Sequence, residues 1–419
     1  MTKVRLANYM LTLCLVIIFT DSLINYFLRT FLMPLPVNTL VILPFFVLFL
    51  LKRLPWVLPG PKTLIWLLVA VVGYAVGVFS APDITAHRFL EIASALLAFM
   101  VGYGFFRNNN DEDALARIFL FITLVYVIVC LIALSRSLPS IFPVVDQIWS
   151  QKGILQRRPE ITTDQNFQVF YLFPAALLLA LPYKAKRFVL IIFTVISSLF
   201  ILAKIQTRSG TLIFLGAAFL ALVSPVFVKS LGRKKMAILP VLGFVGIIAA
   251  MPLIVNSADL LIYRFFHTDY RTGLGRLYSF LYLFEHIGNP FWWLPQGNES
   301  FIAATGNKPH ANITAAFLEG GILGLSSWVA LVLVPIIRLS ISYLRGLLTN
   351  FAVIGFLGCV AMFVTQMSLN VPMVDQVWLW SGASIGLLDN IKHQKPLAHQ
   401  HVFSNKEPSH QTVATNHAE

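Results

Sequence analysis

The sequence predicts an all-α polytopic membrane protein, and composition, apolar run length and the placement of basic residues each point to it. Of the 419 residues 58% are hydrophobic, mean hydropathy is +0.78, and only 12% carry charge, against about a quarter in soluble globular proteins. A hydrocarbon core about 30 Å thick takes about 20 apolar residues per helix. Twelve apolar runs meet or approach that length. Lys and Arg collect in alternate connections: Lys52, Arg53, Lys184, Arg187, Lys234 and Lys235 all fall on the side of the N-terminus. By the positive-inside tendency both termini are cytoplasmic. The formal charge of +13 therefore reads as a topology signal, with no basic face for nucleic acid.

The runs follow in order. Residues 6–20 form the first, read as an uncleaved signal anchor because no small-residue cleavage site precedes Asp21. Next come 37–51 and 64–80, the latter holding Gly73 and Gly77 at a spacing suited to close helix packing. The run 89–106 starts beside His87 and Arg88, and 115–134 follows Asp111, Glu112 and Asp113. Such carboxylates suit the positive end of a helix. An outer connection from 135 to 165 leads to 166–182, 188–203, 211–228 and 236–255. The last three runs are 312–337, 347–369 and 373–389. Cys14, Cys130 and Cys359 all lie inside runs, which suits packing and no disulfide or metal motif.

The chain thus divides into nine spans over 1–255, a large outer loop over 256–311, three spans over 312–390 and a polar tail over 391–419. The tail is expected to be a solvated, disordered extension. The loop is rich in Phe, Tyr and Trp, which disordered segments lack. Its stretch "GRLYSFLYLFEHIGNPFWWLPQG" has a helical period that sets Leu277, Phe280, Leu281, Phe284 and Gly288 on one side. Two readings stay open: a helix lying in the membrane interface, with Phe291, Trp292 and Trp293 as anchors, or a helix docked on other loops.

Several chemistries are unsupported. The chain has no phosphate-binding GxxxxGK[ST] loop, no GxGxxG and no HExxH, so nucleotide-driven and zincin-type reactions lack their motifs. Arginine on the outer side stands out instead. In "AKIQTRSGTL" Lys204 and Arg208 lie four residues apart at an outer turn, and the large loop adds Arg264, Arg271 and Arg276. Arginine's planar fork binds phosphate oxygens bidentately. Asp259, Asp269, Glu285 and Glu299 are on the same side, so structural ion pairs are the competing explanation. In "KPHANITAAFLEGGILGL" His310 stands before a late span with Asn312 two residues on. A neutral imidazole near arginines suits a general base.

"QTRSG" with Leu212 four residues past Arg208, "YRFF" and "GRLYSF" ahead of "GNPFWWLPQG", and "HANITAAFLEGGILGL" occur in that order. In this the chain resembles the bacterial O-antigen ligase family and the related O-antigen polymerases, over about 110 residues. The resemblance implies a membrane glycosyltransferase of a Gram-negative inner membrane with its site on the periplasmic face. It would move O-antigen from undecaprenyl diphosphate to a sugar hydroxyl of lipid A-core, with no metal, nucleotide or other cofactor. Carried across, Arg208 and Arg276 bind the diphosphate and His310 acts at the acceptor. Lys204, Arg264, Arg271, Arg88 and Asn312 are secondary candidates by position. Many family members have Asn or Ser directly after the histidine. Here Ala311 intervenes, so Asn312 is read as the N-cap of the span it opens. His267 and His286 are read as structural. The rivals are an O-antigen polymerase and, from another class, a transporter or flippase, which buried Asp21, Asn25, Gln366 and Asn370 would suit.

Overall fold

A computed structural model describes residues 3–29, 47, 58–80, 86–135, 168–180, 185–204, 208–227, 281–297, 311–368 and 375–404. These are helices joined by turns, with no strand among them. In chain order they are α1 (Lys3–Arg29), α2 (Pro61–Ser80), α3 (Ala86–Asn108), α4 (Glu112–Ser135), α5 (Gln168–Leu177), α6 (Ala185–Lys204) and α7 (Arg208–Phe227). After the described part of the large loop come α8 (Asn312–Trp328), a π-helical segment (Val329–Leu333), α9 (Val334–Leu344), α10 (Asn350–Ser368) and α11 (Asp375–Ser404). Ten of the twelve expected runs coincide with these elements, the run 312–337 being carried by α8, the π segment and α9 together. The runs 37–51 and 236–255 lie outside the described residues, save Val47.

Among the described residues four stretches are long and apolar enough to cross a membrane: Leu90–Asn108, Glu112–Ile132, Asn312–Leu344 and Asn350–Met367. Shorter apolar helices run over Asn8–Thr20, Pro61–Ala75, Gln168–Ala180, Arg187–Leu202 and Gly210–Leu222. The last helix runs through Ser404, past residue 390, where the reading from sequence began the polar tail.

Helix α5 is the interior element. Every residue from Gln168 to Ala180 is buried, with α1, α4, α6, α7 and α10 around it. Pro174 supplies no N–H to its backbone ladder, and the helix gives way to a 3₁₀ turn at Leu178–Ala180. At its start the Tyr126 hydroxyl donates to Gln168 Oε1, and the Tyr126 ring stacks on Tyr171 at 5.0 Å.

Helices α3 and α11 cross most closely. Between apolar helices in lipid there is little hydrophobic drive to associate, so close packing of small residues matters. Gly382 and Gly386, four apart on α11, lie against the backbone of Phe99 and Tyr103 on α3, and Gly102 lies against Leu379. Beside this contact Trp380 joins four other aromatic rings, at 6.2 Å from Phe19, 5.5 Å from Phe106, 6.1 Å from Phe119 and 5.7 Å from Phe173. Gly73 performs the same service between α2 and α8: a Cβ there would meet the Gly324 nitrogen and Leu323 Cβ at 3.2 Å. Cys14, Cys130 and Cys359 are buried and unpaired with one another.

One end of the bundle is laced by polar groups. Asp111 Oδ1 accepts from the Ala114 N–H at 3.1 Å, so the acidic triplet opens α4 as expected. Arg187 at the start of α6 pairs with Asp113 at 3.1 Å, and Asn350 at the start of α10 donates to Glu112 at 3.3 Å. Asn390 on α11 donates to the carbonyls of Phe106 and Asn109 and to Asn110 Oδ1. The described residues of the connections that the positive-inside pattern assigned to the cytoplasm thus meet at one end. The last residue of α6, Lys204, the first of α7, Arg208, and the beginning of α3 belong to the opposite end.

Candidate functional site

At that opposite end the sequence carries its candidate residues. Arg88 lies in the first turn of α3, Lys204 closes α6 and Arg208 opens α7, so their backbones share an end of the bundle. Asn312 does not join them: the chain turns back at Gly321, Ile313 and Ala316 pack with Trp328 and Val332, and Asn312 lies beside Ser327 and Trp328. His310, Arg264, Arg271 and Arg276 lie outside the described residues.

Asn312 requires a correction. Ala311, with extended backbone (φ −138°, ψ 133°), holds the N-cap position of α8, and Asn312 is the first helical residue. Its side chain is buried and lines an internal cavity. The reason is geometric: a capping side chain needs the non-helical backbone that here belongs to Ala311.

The helix that Asn312 opens is not continuous. Residue Gly321 has φ 60° and ψ −152°, a region open essentially to glycine alone. Just before it, Glu319 is buried, a carboxylate within a stretch long and apolar enough to cross a membrane and so costly unless it serves a purpose. Further on the chain widens into the π segment Val329–Leu333. Interruptions of this kind are frequent at functional sites.

The large loop is seated on the break. Residues 281–286 are helical, and Asn289 caps the 3₁₀ turn Pro290–Trp293 by accepting from the Phe291 N–H at 3.0 Å. Tyr282, Leu283 and Trp292 pack on Phe317 and Leu318 of α8. His286 stacks on Tyr282 at 3.8 Å, and its Nδ1 lies 2.9 Å from the Tyr282 carbonyl oxygen, the structural role expected of it. The chain then passes Gly321 so closely that a Cβ there would lie 2.6 Å from the Leu294 carbonyl carbon and 2.8 Å from the Pro295 nitrogen. The Gly297 N–H donates to the Glu319 carbonyl at 3.2 Å. "GNPFWWLPQG" and "AFLEGGILG", which the sequence set apart as motifs, are one structural unit.

Below it α2, α8, α10 and α11 enclose a cavity of about 20 Å³, with Tyr74, Asn312, Ser327, Trp328, Gln366 and Ser381 among its walls. Trp328 Nε1 donates to Gln366 Oε1 at 3.1 Å. That volume admits about one water molecule, far short of a sugar or a diphosphate. At the first residue of α11, Asp375 accepts from Ser94 Oγ at 2.7 Å, joining α3 to α11.

From the sequence, Gln366 was singled out and Glu319, Asp375 and Tyr74 were not. The signal for the two acids was available: a carboxylate within or at the mouth of an apolar run has to be bought by a partner or a function. Tyr74 and Ser381 carry no such signal, being ordinary helix residues until α2 and α11 bring them together. Trp292 also departs from expectation, being buried against α8 while its neighbours Phe291 and Trp293 are exposed.

Compared with known proteins, the chain matches no family model, no curated protein and no solved structure.

Proposed function

We propose that the protein is an O-antigen ligase, transferring O-antigen from undecaprenyl diphosphate to a hydroxyl of lipid A-core at the periplasmic face of a Gram-negative inner membrane. The observation that carries the reading is the union of two of its motifs: the segment ending "WWLPQG" is bound by backbone contacts to the break in the helix that begins just after His310. Motifs that lie apart in sequence but form one unit answer to one task. In this reading His310, two residues before the first helical residue of α8, accepts the acceptor hydroxyl's proton. The hydroxyl oxygen bonds to the anomeric carbon as the bond from that carbon to the diphosphate oxygen breaks. Arg208 and Arg276 neutralise the charge that gathers on the leaving diphosphate. No nucleotide or metal enters this scheme. Lys204, Arg264, Arg271 and Arg88 contribute positive charge around the donor, and membrane lipids are the remaining partners.

A second reading, a transporter or flippase, is favoured by the discontinuous helix at Gly321 and the polar cavity beside the π segment, since transporters place their sites at interrupted helices. One experiment separates the readings. Deleting the gene in its host is expected to leave lipid A-core uncapped while polymer accumulates on its lipid carrier at the outer leaflet. Core bearing a single repeat unit would instead make the protein a polymerase, and carrier-linked glycan retained in the inner leaflet would make it a flippase. With purified donor and acceptor, His310→Ala is expected to abolish transfer and retain donor binding; full turnover would remove the base assignment.

A further inference from the structure

The described part of the large loop exposes a run of large apolar side chains. Phe284 is 69% exposed, Phe291 59%, Trp293 48% and Leu294 67%, with Leu281 and Ile287 also exposed. A patch of this kind on a water-washed loop would be an aggregation liability. From it we infer that residues 287–294 are seated in the outer leaflet, with Phe291, Trp293 and Leu294 in contact with lipid acyl chains. The inference rests on the spanning character of the 312–344 stretch and not on the transferase reading.

Height is the first argument. The loop touches the bundle at Gly321, and Gly321 stands seventeen residues before the exposed Arg338, about 25 Å along the axis at roughly 1.5 Å per residue. Arg338 sits on the polar-laced end, where a long basic side chain reaches the headgroups. A hydrocarbon core of about 30 Å therefore extends up to or past Gly321 and the Trp293–Pro295 backbone against it. Ile322, the next residue of α8, is 46% exposed at the same height, so the apolar surface of the loop continues that of a membrane-crossing helix.

The second argument is how the segment treats its polar groups. Backbone in lipid has to satisfy its hydrogen bonds within the protein. Here the Trp293 indole N–H turns back to the Ile287 carbonyl at 2.7 Å. Gln296 Nε2 donates to the carbonyls of Phe291 at 2.6 Å and Leu294 at 3.2 Å. Asn289 receives the Phe291 N–H, and the Trp292 N–H donates to the Asn289 carbonyl at 3.1 Å. These bonds satisfy the segment's polar groups within the loop itself and leave Phe291, Trp293 and Leu294 as its outward apolar surface.

The test uses the full-length protein in vesicles of phosphatidylethanolamine and phosphatidylglycerol. Single nitroxide labels are placed at Phe291→Cys and Leu294→Cys, with Ile322→Cys as the lipid reference and Asn108→Cys as the water reference. All four positions are exposed, and the native cysteines are buried. Expected is an oxygen-to-nickel-complex accessibility ratio at both loop sites close to that of Ile322→Cys and several-fold above that of Asn108→Cys. A ratio equal to Asn108→Cys would overturn the inference in favour of water. Low accessibility to both probes would overturn it in favour of a covering protein surface, a second copy included. A measurement needing no label supports or opposes it separately: brominated acyl chains should quench part of the tryptophan emission, and Trp293→Phe should lose some of that quenching. No loss on substitution would count against the lipid contact.

Discussion

Gly321 concentrates two constraints in one residue. Its backbone occupies a region that a Cβ strains, and the space a Cβ would take holds the Leu294–Pro295 peptide. The strain alone is worth about 1–3 kcal/mol, and the contact is with backbone, which cannot rotate aside. Gly321→Ala is therefore expected to destabilise the detergent-solubilised protein by at least that amount in thermal unfolding, with Trp292 becoming accessible to quencher. An unchanged midpoint would mean that the loop does not bind the break. The sequence shows "EGG" inside an apolar run, which marks a special position. What it does not show is which glycine departs from helix, because that depends on where the loop's backbone comes to rest. Asn312 teaches the same lesson in reverse. Its residue type suggested a cap, but the chain's entry angle gave the cap to Ala311 and turned the amide inward.

Elements follow run length and composition more faithfully than residues follow type. Apart from α1 and α11, which run on to Arg29 and Ser404, the spanning-run helices of the described residues lie close to where apolar runs put them, down to the Asp111 carboxylate that meets the Ala114 N–H. How closely two helices approach is also partly readable, since Gly382 and Gly386 are spaced to present one smooth face. Which helix they meet is not. Gly382→Leu is expected to push α11 off α3, break the Ser94–Asp375 hydrogen bond and leave little folded protein in a gel-filtration assay, overpacking costing at least about 1–3 kcal/mol. Gly216, whose added Cβ would meet nothing within 4 Å, is the matched site where substitution should be tolerated. The loop helix shows where periodicity misleads. Its Leu281 and Phe284 face was read as the apolar side, and in the structure that face is exposed while Tyr282 and Leu283 are buried on α8. Both faces carry apolar groups, and a helix between protein and lipid has no single hydrophobic side.

At the scale of the molecule, the arrangement of connections decides orientation. The ion pair of Arg187 with Asp113, the Asn350–Glu112 hydrogen bond and the contacts of Asn390 gather the starts of α4, α6 and α10 and the end of α3 at one end, along α11. If that end is cytoplasmic, a membrane-impermeant maleimide should label Asn108→Cys only after the inner membrane is opened. Labelling in cells whose outer membrane alone is permeable would invert the topology and move the candidate site to the cytoplasm.

By itself the sequence determined the class of the protein, because apolar length and charge placement are local properties that the bilayer reads directly. It also marked the stretches that form the candidate site's described part, through residue types that are expensive where they stand. Only the tertiary structure decided that the loop segment and the helix break are one unit, that Asn312 faces a cavity about the size of one water molecule, and that a carboxylate lies buried beside the break. Each of these depends on which backbone approaches which, and a sum of helix propensities and hydropathies contains no term for that.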